Sequence, residues 1–201
     1  MKSVLISIQP KWVKKIASGE KTIEVRKTRP KLETPFKCYI YCTEGDALAY
    51  PCINYPKFDI HRANNGTLKG RLMTKKEREQ SDYLYANGKV IGEYVCDKVY
   101  DLRYVPTVYY GKPAGTYEEM ICNSSCLSVD QIKEYAKGRD IYGWYISELK
   151  IYDKPKELSE FWTVKCTNKK VGCFDCKVKP NCIKTITRPP QSWCYVESLG
   201  E

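Results

Sequence analysis

Gly19-Glu20-Lys21-Thr22-Ile23-Glu24-Val25-Arg26 sets a cation, a carboxylate and a guanidinium within six residues, Lys21 to Arg26. A glycine turn ahead of an alternating segment sends Glu24 and Arg26 to one face with Thr22. Ile23 and Val25 go to the other. Lys21 then stands at the mouth of whatever fold the segment enters. Such a group can hold a phosphate or a base edge through charge-assisted hydrogen bonds, and it can support acid–base chemistry. The plain alternative is an ion pair on a solvated strand face.

A second constellation lies near the C-terminus. Cys166-x6-Cys173-x2-Cys176-x5-Cys182 packs four thiols into seventeen residues. A C-x-x-C knuckle supplies two thiolates from one tight turn, and the outer pair completes a tetrahedral set. A closed structural zinc site is the favoured occupant, with an iron–sulfur cluster the close runner-up and free buried thiols the plain alternative. The remaining seven cysteines (38, 42, 52, 96, 122, 126 and 194) read as small core residues.

The elements that must position these groups are short. Ser3–Ile8 reads as a strand, and Pro10 opens a helix with Trp12, Val13 and Ile16 on a narrow apolar face, stopped at Gly19. Thr22–Arg26 and Lys37–Thr43 alternate as strands, the latter with Cys38, Ile40 and Cys42 opposite Tyr39 and Tyr41. Residues 44–88, rich in Pro, Asn and mixed charge, read as an insertion between two strands. Lys89–Tyr100 is a strand. Ser128 and Gln131 form a capping box for a helix through Lys137, stopped by Gly138. Tyr142–Tyr152 reads as one long strand, Leu158–Phe161 as a short segment, and Trp193–Glu197 as the last strand. Strands outnumber helices, so the expectation is an α+β fold: a small mixed β-barrel with flanking helices, in a single domain over 1–201.

Charge narrows the partner. The chain of 201 residues carries a formal net charge of +10. Residues 1–40 hold ten Lys/Arg against three acids, and residues 165–190 hold seven against Asp175. If the fold joins these two ends, they make one basic surface suited to phosphates. Seventeen tyrosines interleave with those cations and suit stacking on exposed bases. No apolar run reaches membrane-helix length, and the N-terminus has no secretory pattern, so a cytoplasmic protein is expected with no membrane partner. Phosphate-binding loops of the G-x-x-x-x-G-K-S/T and G-x-G-x-x-G kinds are absent from the sequence.

The G-x-K-x-x-E-x-R stretch resembles the signature of the ASCH domain family, within the PUA-like superfamily of small β-barrels. ISIQPKWVKKIASGEKTIEVRK, YGWYISELKIYDKP and RPPQSWCYVE are similar, in that order, to the bacterial and prophage branch of that family. The resemblance covers most of residues 1–162 and the last strand. It implies a pocket for RNA or a modified nucleoside formed by Gly19, Lys21, Thr22, Glu24 and Arg26, with Trp144 and Ser147 from the later strand. Some relatives are amidohydrolases acting on acetylated cytidine and others are ribonucleases. Were this protein an enzyme, Lys21 and Glu24 would be its catalytic residues. The amidohydrolase motif has a threonine three positions after its lysine, and Glu24 stands there instead. A phage-encoded protein that binds a host protein is the remaining alternative. The cysteine spacing is similar to the [4Fe–4S] loop of certain DNA glycosylases, with Lys169 and Lys170 in the basic loop between the first two thiols. The helix-hairpin-helix of those enzymes is missing, so no glycosylase activity carries over.

Overall fold

The computed structural model describes residues 2–44, 87–102, 117–164 and 182–199. Nearly all of the 44–88 insertion lies outside them, as do Cys52, Cys166, Cys173, Cys176, Lys169 and Lys170.

Strand β1 (Lys2–Ile8) is buried along almost its whole length. Helix α1 (Pro10–Ala17) follows, with Pro at its start and Val13 and Ile16 turned into the core. Strand β2 (Ile23–Arg26) then precedes β3 (Phe36–Cys42), which runs parallel to β1. Strand β4 (Val90–Cys96) returns antiparallel to β3, so residues 45–86 connect two neighbouring strands. After β5 (Val99–Asp101) come two helices, α2 (Tyr117–Ser125) and α3 (Val129–Ala136). Strands β6 (Tyr142–Tyr145) and β7 (Ser147–Lys156), a 3-10 turn at Leu158–Glu160, β8 (Trp162–Val164), β9 (Ile183–Thr185) and β10 (Trp193–Glu197) complete the described chain.

The large sheet has the order β10-β1-β3-β4-β7, and a smaller sheet has the order β2-β6-β5. Strands β1 and β3 are buried on both faces. On one face Val4, Ile6, Ile8, Cys38, Ile40 and Cys42 pack with Trp144 and Ile146. On the other, Leu5, Tyr39 and Tyr41 pack against Val90, Phe161 and Val196. The alternation read for β3 thus separates two cores rather than core from solvent. A third core joins Ile23 and Val25 to Ile121 of α2 and Ile132 of α3.

The closed barrel expected from the strand count is not what the described residues form. They form two open sheets packed against one another, with a two-stranded β8-β9 ribbon beside them. The cause lies in two runs expected to be single strands. Lys89–Tyr100 breaks at Asp97-Lys98 and passes from the large sheet to the small one. Tyr142–Tyr152 breaks at Ile146 and passes the other way. Both breaks are pinned: Tyr145 N–H donates to the Lys98 carbonyl and Ile146 N–H to the Thr22 carbonyl, each at 2.9 Å. Glu148 takes a left-handed conformation (φ +48°), and register shifts between β4 and β7 bend the strand further.

Candidate functional site

Gly19 builds the site without touching a ligand space. Its φ of +79° turns the chain sharply after α1, and Lys21 N–H returns to the Lys15 carbonyl at 2.9 Å. Lys21 is thereby driven inward and is only 2 % exposed. Its Nζ donates to the carbonyls of Ile23 and Ser125, both at 2.8 Å, and lies 3.4 Å from Glu24 Oε2. Ser125 is the last residue of α2, so a lysine cation sits at a helix C-terminus, where carbonyls lack partners. Of the three N–H donors of the lysine, two are met by backbone carbonyls, and the Glu24 carboxylate stands opposite as an ion-pair partner rather than a hydrogen-bond acceptor. Burial pushes the Lys21 pKa down, against the neighbouring Glu24, which raises it.

Glu24 links the two cations. Its Oε1 lies 3.0 Å from Arg26 Nη2, which also donates to the Ser7 carbonyl at 2.6 Å. All three side chains are nearly buried: the exposures of Glu24 and Arg26 are 7 % and 12 %. The group carries one net positive charge. Two of its polar atoms, Glu24 Oε2 and Arg26 Nε, have no hydrogen-bond partner among the described residues. Unused hydrogen-bonding capacity of this kind is costly when buried and is commonly met by water or a ligand.

Lys21, Glu24 and Arg26 line a cavity of about 580 Å³. Gln9, between β1 and α1, and the side chain of Trp12 form one wall. Leu127, Gln131 and Tyr135, from α3 and the residues before it, form another. Pro189, Pro190 and Gln191 close a third side. Ser7 ties that segment to β1, its hydroxyl donating to the Pro190 carbonyl at 2.6 Å. The Trp12 ring has Lys21 Nζ 5.2 Å and exposed Lys11 Nζ 4.9 Å from its centroid.

The other expected site residues fall elsewhere. Thr22 acts through its backbone, with its N–H donating to Ser124 and its carbonyl accepting from Ile146. Trp144 faces Glu24 across the β2–β6 pairing but is fully buried, edge-on to Phe36 and Trp193. Its indole N–H has no partner among the described residues. Ser147 donates its hydroxyl to the Val95 carbonyl at 2.9 Å and does not line the cavity. Among the described residues no three metal-ligating side chains cluster. Of the four cysteines read as ligands, only Cys182 is described, and it is buried. Cys38, Cys42 and Cys96 are core thiols, and burial pushes Cys42 and Cys96 up to about 12, far from reactive thiolates.

Trp12, Tyr135, Ser7 and the Pro189–Gln191 segment had no sequence signal as site residues. Trp12 read as part of the apolar helix face and Ser7 as part of the first strand, while Tyr135 and the Pro189–Gln191 segment come from distant stretches that only the fold unites.

The architecture is similar to that of a solved ASCH protein from Zymomonas mobilis, with a TM-score of 0.51 at 16% identity, covering 97% of this chain and 87% of that one. A variant structure of the same Zymomonas protein gives 0.46 at 16% identity, covering 98% and 91%. The chain therefore has an ASCH-like fold. Neither a protein-family model nor a curated protein sequence matches it.

Proposed function

We propose that the cavity floored by Lys21, Glu24 and Arg26 binds a nucleobase, from RNA or from a modified nucleoside. The observation that carries this reading is the buried cation–carboxylate–cation group with unspent donors and acceptors, beneath walls that contain Trp12 and Tyr135. Aromatic walls accept the π-face of a base, and a mixed donor–acceptor floor accepts its polar edge. One net positive charge favours an electron-rich ligand there.

In this reading Lys21 is a positioning residue. Two of its N–H groups are committed to backbone carbonyls and its charge faces the Glu24 carboxylate, so it holds Glu24 electrostatically and leaves ligand contact to Glu24 and Arg26. Ser147 takes no part in either case, since its hydroxyl is held by the Val95 carbonyl outside the cavity. Incubation with labelled RNA and with acetylated cytidine, followed by product analysis and by affinity against salt, tests the assignment. Binding that weakens steeply with salt, with no product, is the expected result. Product whose formation is lost in Glu24→Gln would make the pocket an active site. Failure to bind either probe at low salt would overturn the reading and favour a protein partner.

A further inference from the structure

Buried hydrogen-bonding atoms without a partner are rare in folded proteins, because each forfeits its bonds to water. Apart from Asn87, the described residues that carry such side-chain atoms are Glu24, Arg26, Tyr94 and Trp144. Three of these meet at the seam between the two sheets. Trp144 on β6 is the direct cross-strand neighbour of Glu24 on β2. Antiparallel neighbours send their side chains to the same face, so indole and carboxylate leave the small sheet together. Trp144 packs edge-on to Phe36 of β3, with ring centroids 5.8 Å apart, and shares one core with Tyr94 of β4. Tyr94 thus meets the seam from the large sheet, where its hydroxyl feels the Glu24 charge. Arg26, two residues further along β2, lies opposite Tyr142 instead.

The three groups define what can satisfy them. An indole N–H only donates, and an ionised carboxylate only accepts. Burial, then the Cys38 and Cys96 thiols, then Glu24 raise the Tyr94 pKa well above its usual value, so the phenol stays a neutral O–H. Its cross-strand neighbour Cys38 offers only a sulfur, a weak acceptor. Glu24 Oε2, Tyr94 Oη and Trp144 Nε1 are all closed off from solvent, and none bonds to another. Two donors therefore face one acceptor across the seam. Inward-pointing N–H and O–H groups repel a cation, and Glu24 repels an anion. A small neutral molecule that both accepts and donates is what fits, and water is the smallest.

We propose that one water is built into this seam, accepting from the Trp144 indole and the Tyr94 hydroxyl and donating to Glu24 Oε2, and that it fixes the motif carboxylate. Buried waters typically make about three such bonds. Tyr94 and Trp144 are then positioning residues for Glu24. Lys21 meets Oε2 only as an ion-pair partner at 3.4 Å, and the water adds the directional bond. With Oε2 held from behind, Oε1 and the Arg26 guanidinium are left to the cavity ligand. The water stands independently of the nucleobase reading; its consequence for affinity rests on that reading.

The test is a high-resolution crystal structure of the wild type and of Tyr94→Phe, with acetylated cytidine titrated into both and into Tyr152→Phe. Tyr152 is the control, since its hydroxyl donates to Glu93 Oε2 at 2.6 Å and its ring packs with the other core. Expected in the wild type is density for one water within hydrogen-bond distance of Glu24 Oε2, Trp144 Nε1 and Tyr94 Oη. Tyr94→Phe is expected to displace that water and to bind the nucleoside about threefold or more weakly. Tyr152→Phe should bind as the wild type does. A direct bond from either donor to Glu24, or a seam without water density, would overturn the water. Wild-type affinity in Tyr94→Phe, or an equal loss in Tyr152→Phe, would overturn the positioning role. Wild type that binds no nucleoside would remove the nucleobase reading, while the density would still decide the water.

Discussion

Lys21 is the residue on which the site depends, because its removal strands a carboxylate in the interior. Lys21→Met keeps most of the side-chain volume yet leaves Glu24 with Arg26 alone. Breaking a buried pair in this way costs about 3–5 kcal/mol, so the variant should show a much lower urea midpoint than wild type. Linkage gives a second signature. Burial holds the folded-state pKa of Lys21 below its unfolded value. Between those two values the unfolded chain binds more protons, so this residue's contribution to stability rises with pH there. The stability gap between wild type and Lys21→Met is therefore expected to widen on going from neutral toward alkaline pH. A gap that stays constant or narrows would mean that Lys21 is not held below its unfolded value. Strand alternation alone places Glu24 and Arg26 on one face, so that part of the site is legible in the sequence. The internal commitment of the Lys21 donors is not, because Ser125 belongs to a helix with no clear sequence signal.

At the scale of elements, most boundaries followed from local chemistry. Trp193–Glu197 forms as read, the Ser128–Gln131 capping box is present with both hydrogen bonds, and Gly138 follows Lys137 into left-handed backbone. Two kinds of feature escaped. Helix α2 has little amphipathic contrast in YEEMICNSS, and its packing rests chiefly on Ile121. The sheet changes at Asp97-Lys98 and Ile146 were hidden because strand-forming residues continue on both sides of each while the pairing partner changes. Gly92 marks the irregular β4–β7 pairing, where an added Cβ would press on the Lys150 carbonyl oxygen and stand 3.1 Å from Ile151 Cα. Those neighbours are backbone and cannot rotate away. Gly92→Ala is expected to cost about 2–3 kcal/mol in equilibrium unfolding. Because the cavity lies on other strands, nucleoside affinity of the folded variant should match wild type. A neutral effect on stability would show that the β4–β7 irregularity relaxes freely.

For the whole molecule, the fold joins what the sequence kept apart. Strand β10 pairs with β1, and Pro189–Gln191 wall the same cavity as Trp12 and Lys21. The two basic ends of the chain thus approach one another, at least as far as the described part of the second reaches back. The four cysteines within the second basic segment carry a separate expectation: bound zinc held by Cys166, Cys173, Cys176 and Cys182. Elemental analysis should find about one zinc per chain, lost together with thermal stability in Cys173→Ser. Brown protein with a broad visible absorbance would assign an iron–sulfur cluster instead, and metal-free protein of unchanged stability would exclude both. The cavity itself is tested most directly through the wall that a base must touch. Trp12 is half-buried at the cavity edge, and base–aromatic stacking is worth about 1–3 kcal/mol per base. Titration of RNA and of acetylated cytidine into folded Trp12→Ala is predicted to give affinities weaker by about tenfold or more than wild type. Affinities equal to wild type for both ligands would contradict the assignment of this cavity as the nucleobase site.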